Sequence, residues 1–110
     1  MSDKIKLVQN DTRPALVCHL TDDTTGLAVN LVGATSVLKF RASGATTLQA
    51  TVPGFVTDGV NGQITFYPAS VPTMLSGAPG SYEGEIEVTF PDGQIQTVYD
   101  TLKFQMRAEF

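Results

Sequence analysis

Residues 81–110 read SYEGEIEVTFPDGQIQTVYDTLKFQMRAEF, and their alternation decides the fold class. Tyr82, Gly84, Ile86, Val88 and Phe90 fall on one face, and Glu83, Glu85, Glu87 and Thr89 on the other. A period of two is that of a strand with one face buried and one in water. Pro91-Asp92-Gly93 then supplies a hairpin turn, the proline presetting φ and the glycine accepting φ > 0. Ile95 opens the return strand. Further on, Leu102, Phe104, Met106 and Ala108 form its apolar face, and Lys103, Gln105, Arg107 and Glu109 its polar face. The apolar positions are odd at Ile95 and even from Leu102, which predicts a bulge or break near Tyr99-Asp100-Thr101.

The same reading extends towards the N-terminus. Lys4 to Val8 forms a short strand with Ile5 and Leu7 on one face. Ala15 to Leu20 forms a second, with Leu16, Cys18 and Leu20 opposite Ala15, Val17 and His19. Ala28 to Leu31 adds a very short one. Ser36 to Ala42 alternates cleanly, with Leu38 and Phe40 inward and Lys39 and Arg41 outward. Leu48, Ala50 and Val52 line the next strand, which Pro53-Gly54 is expected to break. Gln63 to Tyr67 carries Ile64 and Phe66 on one face. Pro68 to Gly80 holds three prolines and two glycines, so at most a single helical turn fits at Val71 to Leu75. Turn signals recur roughly every 8–12 residues, the pattern of an all-β fold. The expectation is one domain over residues 1–110, an immunoglobulin-like antiparallel β-sandwich of about seven to eight strands. Gly84 stands out within its strand, where it permits close approach of a neighbour.

Composition narrows the function. The chain has 110 residues, a net charge of −4 and only seven Lys and Arg, so it lacks the basic footprint of a nucleic-acid binder. No run of about 18 apolar residues exists, which argues against a membrane-spanning helix. One cysteine, Cys18, excludes an internal disulfide. With no apolar leader at the N-terminus, synthesis in a reducing cytoplasm is expected.

No constellation for chemistry emerges. His19 is the only histidine, and its neighbour Cys18 points to the opposite face of the same strand, so the two make a poor dyad. They read as a core thiol and a surface imidazole. One His and one Cys do not supply a zinc site. Asp22-Asp23 and Asp58-Gly59-Val60-Asn61-Gly62 offer oxygen ligands without EF-hand spacing or its closing glutamate, and read as turns. There is no Walker loop, dinucleotide fingerprint or serine elbow. The expectation is therefore no catalytic, cofactor or metal residues, and no enzyme. Glu83, Glu85 and Glu87 line a solvated face that Lys103 and Arg107 offset across strands, and this face is also a candidate for docking. The other interface candidates are Ile5 and Leu7, and Val71, Met74 and Leu75 if exposed. The alternative for the last three is a plug over the open end of the sandwich.

Taken in order, these pieces resemble the N-terminal immunoglobulin-like domain of phage baseplate upper proteins and related phage tail proteins. The resemblance is carried by NDTRPALVCHLTDDTTGLAVNLVGATSVLKFRA (Asn10 to Ala42), TDGVNGQITFYP (Thr57 to Pro68), GSYEGEIEVTFPDGQIQTV (Gly80 to Val98) and the closing YDTLKFQMRAEF. The third, with its GxYxaeixvt…DG pattern, is the most specific. The resemblance implies a phage or prophage tail or baseplate protein that works by docking onto other tail proteins as a homo-oligomer. It would be made in the bacterial cytoplasm and carried in the virion. Larger members continue past this domain, so an end at Phe110 implies an adaptor rather than a receptor-contacting protein. The rival expectation is a carbohydrate- or host-surface-binding adhesion module. That class exposes aromatic platforms, whereas Trp is absent here and the Tyr and Phe residues fall mostly on apolar faces.

Overall fold

The strand at Gly80–Thr89 is the longest in the chain and alternates buried and half-buried residues along nearly its whole length. In the computed structural model, which describes residues 5–11, 13, 15–22, 24–98 and 101–108, it sits within one curled sheet. The strands are β1 (Ile5–Val8), β2 (Leu16–His19), β3 (Thr35–Ala42), β4 (Ala50–Asp58), β5 (Gln63–Phe66), β6 (Gly80–Thr89), β7 (Ile95–Thr97) and β8 (Leu102–Arg107). Their order is β1-β8-β6-β3-β4-β5-β2, with β7 also on β6. The all-β sandwich expected from alternation is present, as a half-barrel curled over its core. One feature departs from an all-antiparallel fold: β1 runs parallel to β8, with Ile5 opposite Phe104.

The two walls are joined by β4. Its first half pairs with β3, Ala50 to Gly54 against Phe40 to Ser36, and its second half pairs with β5, from Gly54 opposite Phe66. The expected break at Pro53-Gly54 is therefore not a strand end. The strand continues and changes partner there, as strands at sandwich corners do. Gly54 is the pivot because there is no room for more. A Cβ would press on Ser36 Oγ and lie 2.7 Å from Phe66 Cε1 and 2.8 Å from Ile64 Cγ2. Ser36 is buried, and its hydroxyl has no partner among the described residues.

The core is aromatic at its centre. Phe40 stacks on Tyr82 with centroids 4.9 Å apart and meets Phe104 edge-on at 5.1 Å. Leu38, Val52, Ile64, Phe66 and Met106 pack around them, all at most 1% exposed. Gly84 has the role its sequence suggests: a Cβ there would come within 2.8 Å of Leu38 Cδ1 and 3.0 Å of Phe104 Cε2.

The return from β6 differs in detail from the expectation. The turn forms at Pro91-Asp92-Gly93, with the Phe90 N–H donating to Gln94 O and the Gly93 N–H to Phe90 O. β7 then pairs with the second half of β6, and β8 with the first half. The offset between the two registers is even, Thr89 facing Ile95 and Gly84 facing Leu102, so even-numbered residues stay on the buried face throughout. Ile95 does not begin an inward face; it points outward and is 63% exposed. Tyr99 and Asp100, where a bulge was expected, lie outside the described residues. Two other expectations are corrected. Ala28 makes only an isolated bridge to Thr21, and Leu48 is exposed because regular pairing begins only at Ala50.

Candidate functional site

The segment from Pro68 to Gly80 folds as two short 3-10 turns, Pro68–Ser70 and Pro72–Leu75. Met74 and Leu75 are fully buried and Val71 is half-buried, so this is the plug and not an exposed apolar surface. Prolines start both turns, and the second turn drops Met74 and Leu75 onto the core. The plug is tied down by backbone and side-chain bonds. The Asn10 N–H donates to Leu75 O at 2.8 Å, Gln9 Nε2 to Gly77 O, Gln49 Nε2 to Thr73 O, and Tyr82 Oη to Ala78 O at 2.6 Å. Leu7 is likewise a core residue at 2% exposure, and Ile5 is half-buried at the start of β1. Of the apolar interface candidates, then, only Ile5 and Val71 keep part of their surface open.

Glu83, Glu85 and Glu87 do line the outer face of β6. Their partners come chiefly from β3, which lies alongside. Lys39 Nζ meets Glu87 Oε2 at 3.0 Å, and Arg41 Nε lies 3.5 Å from Glu83 Oε1. Lys103 stands opposite Glu83 on β8, but Arg107 stands opposite Val8 of β1 and not beside the glutamates. Three glutamates thus face Lys39, Arg41 and Lys103, and the face is close to neutral overall. Such partly exposed pairs contribute little individually.

Glu83 is held most firmly. Its Oε1 accepts the Gly44 N–H at 3.1 Å. That bond first, then the charges of Arg41 and Lys103, hold its carboxyl below the usual range, against an opposing push from partial burial. A carboxyl lowered in the folded state stabilises above its unfolded value, about 4.3, and loses that contribution as pH falls through the folded value. The denaturation midpoint of the native chain is therefore expected to fall on acidification below that value by more than the midpoint of Glu83→Gln. Parallel pH profiles of the two would refute this assignment.

The loop acids are used within their own turns. Asp22 Oδ1 accepts from the N–H groups of Thr24 and Thr25, and Asp58 Oδ2 accepts from Asn61 Nδ2. Asp23 lies outside the described residues. Among the described residues no three His, Cys, Asp or Glu side chains come together. His19 is exposed and bonds Gln63 across β2–β5 at 2.9 Å, while Cys18 is half-buried on the other face, where burial pushes its thiol up.

Two features were not anticipated in the sequence. On the outer face of β4 and β5, Phe55 and Tyr67 are 51% and 41% exposed and meet edge to face at 5.6 Å. Val17, 54% exposed, completes this face, facing Thr65, which in turn faces Phe55. Alternation put Val17 opposite the inward residues, but Phe55 lay beyond the expected break at Pro53-Gly54, and only the register brings the two onto one face.

The second feature is a slot of about 680 Å³ where the half-barrel does not close. One side is β2 and the loop after it; the other is β7 with the first residues of β1 and β8; Ile86 and Val88 of β6 lie beneath. Among the described residues, β2 pairs only with β5 and β7 only with β6, so each presents one bare edge.

No family model matches the chain, and no curated protein matches it. Several solved structures resemble the fold, two of them as follows. The N-terminal domain of phage TP901-1 ORF48 matches with a TM-score of 0.65 and 17% identity, over 98% of this chain and 86% of that one. CopC from Methylosinus trichosporium OB3b matches with a TM-score of 0.56 and 16% identity, over 99% of this chain and 88% of that one. At such identities the likeness is one of fold.

Proposed function

We propose that the protein is a structural component of a phage or prophage tail or baseplate, working by docking onto other tail proteins and not as an enzyme. The observation that carries this reading is the likeness to a phage domain over almost the whole chain. The ordered sequence motifs point independently the same way. In this reading the protein is made in the host cytoplasm, assembles as an oligomer or with neighbours, and leaves within the virion. Light scattering of the purified chain, alone and mixed with the proteins encoded beside it, tests the reading. A closed oligomer or a stable complex with a neighbouring tail protein is expected. A monomer that ignores every neighbour would overturn it.

A second reading, an adhesion module for carbohydrate or a host surface, is favoured by one observation. Phe55 and Tyr67 form an exposed aromatic pair, the kind of surface on which a sugar face stacks. A glycan array distinguishes the two: retention that is lost in Phe55→Ala supports adhesion, and a blank array removes it.

A further inference from the structure

The slot differs from ordinary surface in what it leaves unfinished. Among the described residues nine apolar side chains pack against the core while remaining half-buried, and all but Val56 and Val71 line the slot. Incomplete burial is thus gathered in one place. Among the described residues the lining contains no Lys or Arg. Among the described residues its one carboxylate is Asp22, whose Oδ1 is already occupied by two backbone N–H groups. His19 at the rim is engaged by Gln63. These described walls offer a charged ligand little counter-charge, whereas uncharged apolar side chains match them.

The walls also have a direction. Among the described residues β2 and β7 each offer one bare strand edge, a row of N–H and C=O groups that only another backbone satisfies along its length. β2 has four residues, which corresponds to roughly 13 Å of strand. A compact apolar molecule would cover Leu20, Phe90 and Val98 but leave those edges bare. An extended segment covers both: its backbone pairs with an edge, and every second side chain enters the slot.

We propose that the slot receives an extended segment of another tail protein, which adds as a strand to the bare edge of β2 and closes the half-barrel over Leu20, Phe90 and Val98. The partner's identity rests on the tail-docking reading; the site does not. The segment it fits has apolar residues at alternate positions and no charge on the inward ones.

The test is amide hydrogen exchange of the full chain with a pool of lysine-flanked peptides of about seven residues, a typical strand length. In these peptides Val, Ile or Leu alternates with Thr or Ser. A second pool has the same residues with the apolar ones contiguous. The alternating pool is expected to slow exchange at β2 at least about tenfold, the size of effect that a bound state populated over nine-tenths gives. Cys18→Trp, which fills the slot from the β2 wall, should abolish the effect; Leu20→Trp does the same from the rim should the first variant not fold. No slowing, equal slowing by both pools, or protection at Phe55 and Tyr67 instead would overturn the proposal. So would protection of β2 that rises with protein concentration alone, because the occupant would then be a second copy. A complex with a neighbouring tail protein that survives both tryptophan variants would overturn the slot and keep the docking reading. Peptide closure in a chain that ignores every neighbour would keep the slot and overturn that reading.

Discussion

Phe40→Ala is expected to lower the unfolding free energy by about 3–5 kcal/mol, the largest loss of any single truncation considered for this chain. Three observations set the size. Phe40 is fully buried, it stacks on Tyr82 at an interplanar angle of 3°, and it meets the edge of Phe104. Truncation removes the transfer contribution of the ring, deletes both ring contacts and leaves a void bounded by strands on two sides. Those strands, β4 and β6, are each hydrogen-bonded to β3 along most of its length and cannot collapse inward without breaking the ladder. Against a total stability of roughly 5–15 kcal/mol, this is enough to bring the chain close to unfolding at body temperature. Urea denaturation followed by circular dichroism measures it. Phe55→Ala is the control, because Phe55 is half-exposed and its loss should cost less than about 1 kcal/mol. Equal effects from the two would mean that Phe40 is not the centre of the core.

The second large effect lies at the corner of the sheet. Gly54→Ala is expected to cost about 1–3 kcal/mol, and Gly54→Val the upper end of that range or more. The added carbon meets Phe66 and Ile64, both fully buried, so neither ring nor methyl has free space into which to move. It also meets the Ser36 hydroxyl, which has no hydrogen-bond partner among the described residues. Removing that oxygen by Ser36→Ala should be neutral or stabilising by up to about 1 kcal/mol, since an unsatisfied buried hydroxyl is itself unfavourable. The two sites should therefore couple. Gly54→Ala should cost less in the Ser36→Ala background than alone, by about 0.5 kcal/mol or more. A thermodynamic cycle of the two single variants and the double variant reads this directly. Strict additivity would show that the oxygen is not what Gly54 makes room for.

Much of this architecture is legible in the sequence because alternation encodes burial directly. β3 and β6 read correctly to within a residue or two, and the turn at Pro91-Asp92-Gly93 formed where its chemistry put it. Failures came where a single-strand rule met a tertiary constraint. Pro53-Gly54 looks like a terminator, but at a corner the strand changes partner, and a residue without a side chain is what the crossing needs. Ile95 looks like an inward residue by its hydropathy, yet the register of β7 on β6 turns it outward. For Met74 and Leu75, set among prolines and glycines, the sequence left two readings open, an exposed contact or a plug, and only the fold decides for the plug. The glutamate face was legible, and so was Lys103 opposite Glu83, but Arg107 was misplaced and the partners on β3 were missed. Strand order decided that β3 and not the end of β8 supplies the main countercharges, and a sequence does not print strand order. The slot was the least legible feature, since it consists of pairings that do not form.

The parallel pairing of β1 with β8 sets a timetable for the chain's birth. Ile5 leaves the ribosome long before its partner Phe104 does. Until then β1 lacks the one strand that pairs with it among the described residues, Leu7 has no Met106 opposite it, and one side of the core stays uncovered. Contacts that link such distant positions are slow to form. The domain therefore finishes folding only after Leu102–Arg107 has cleared the exit tunnel, and nascent chains stalled before that point should be digested by protease far faster than released ones.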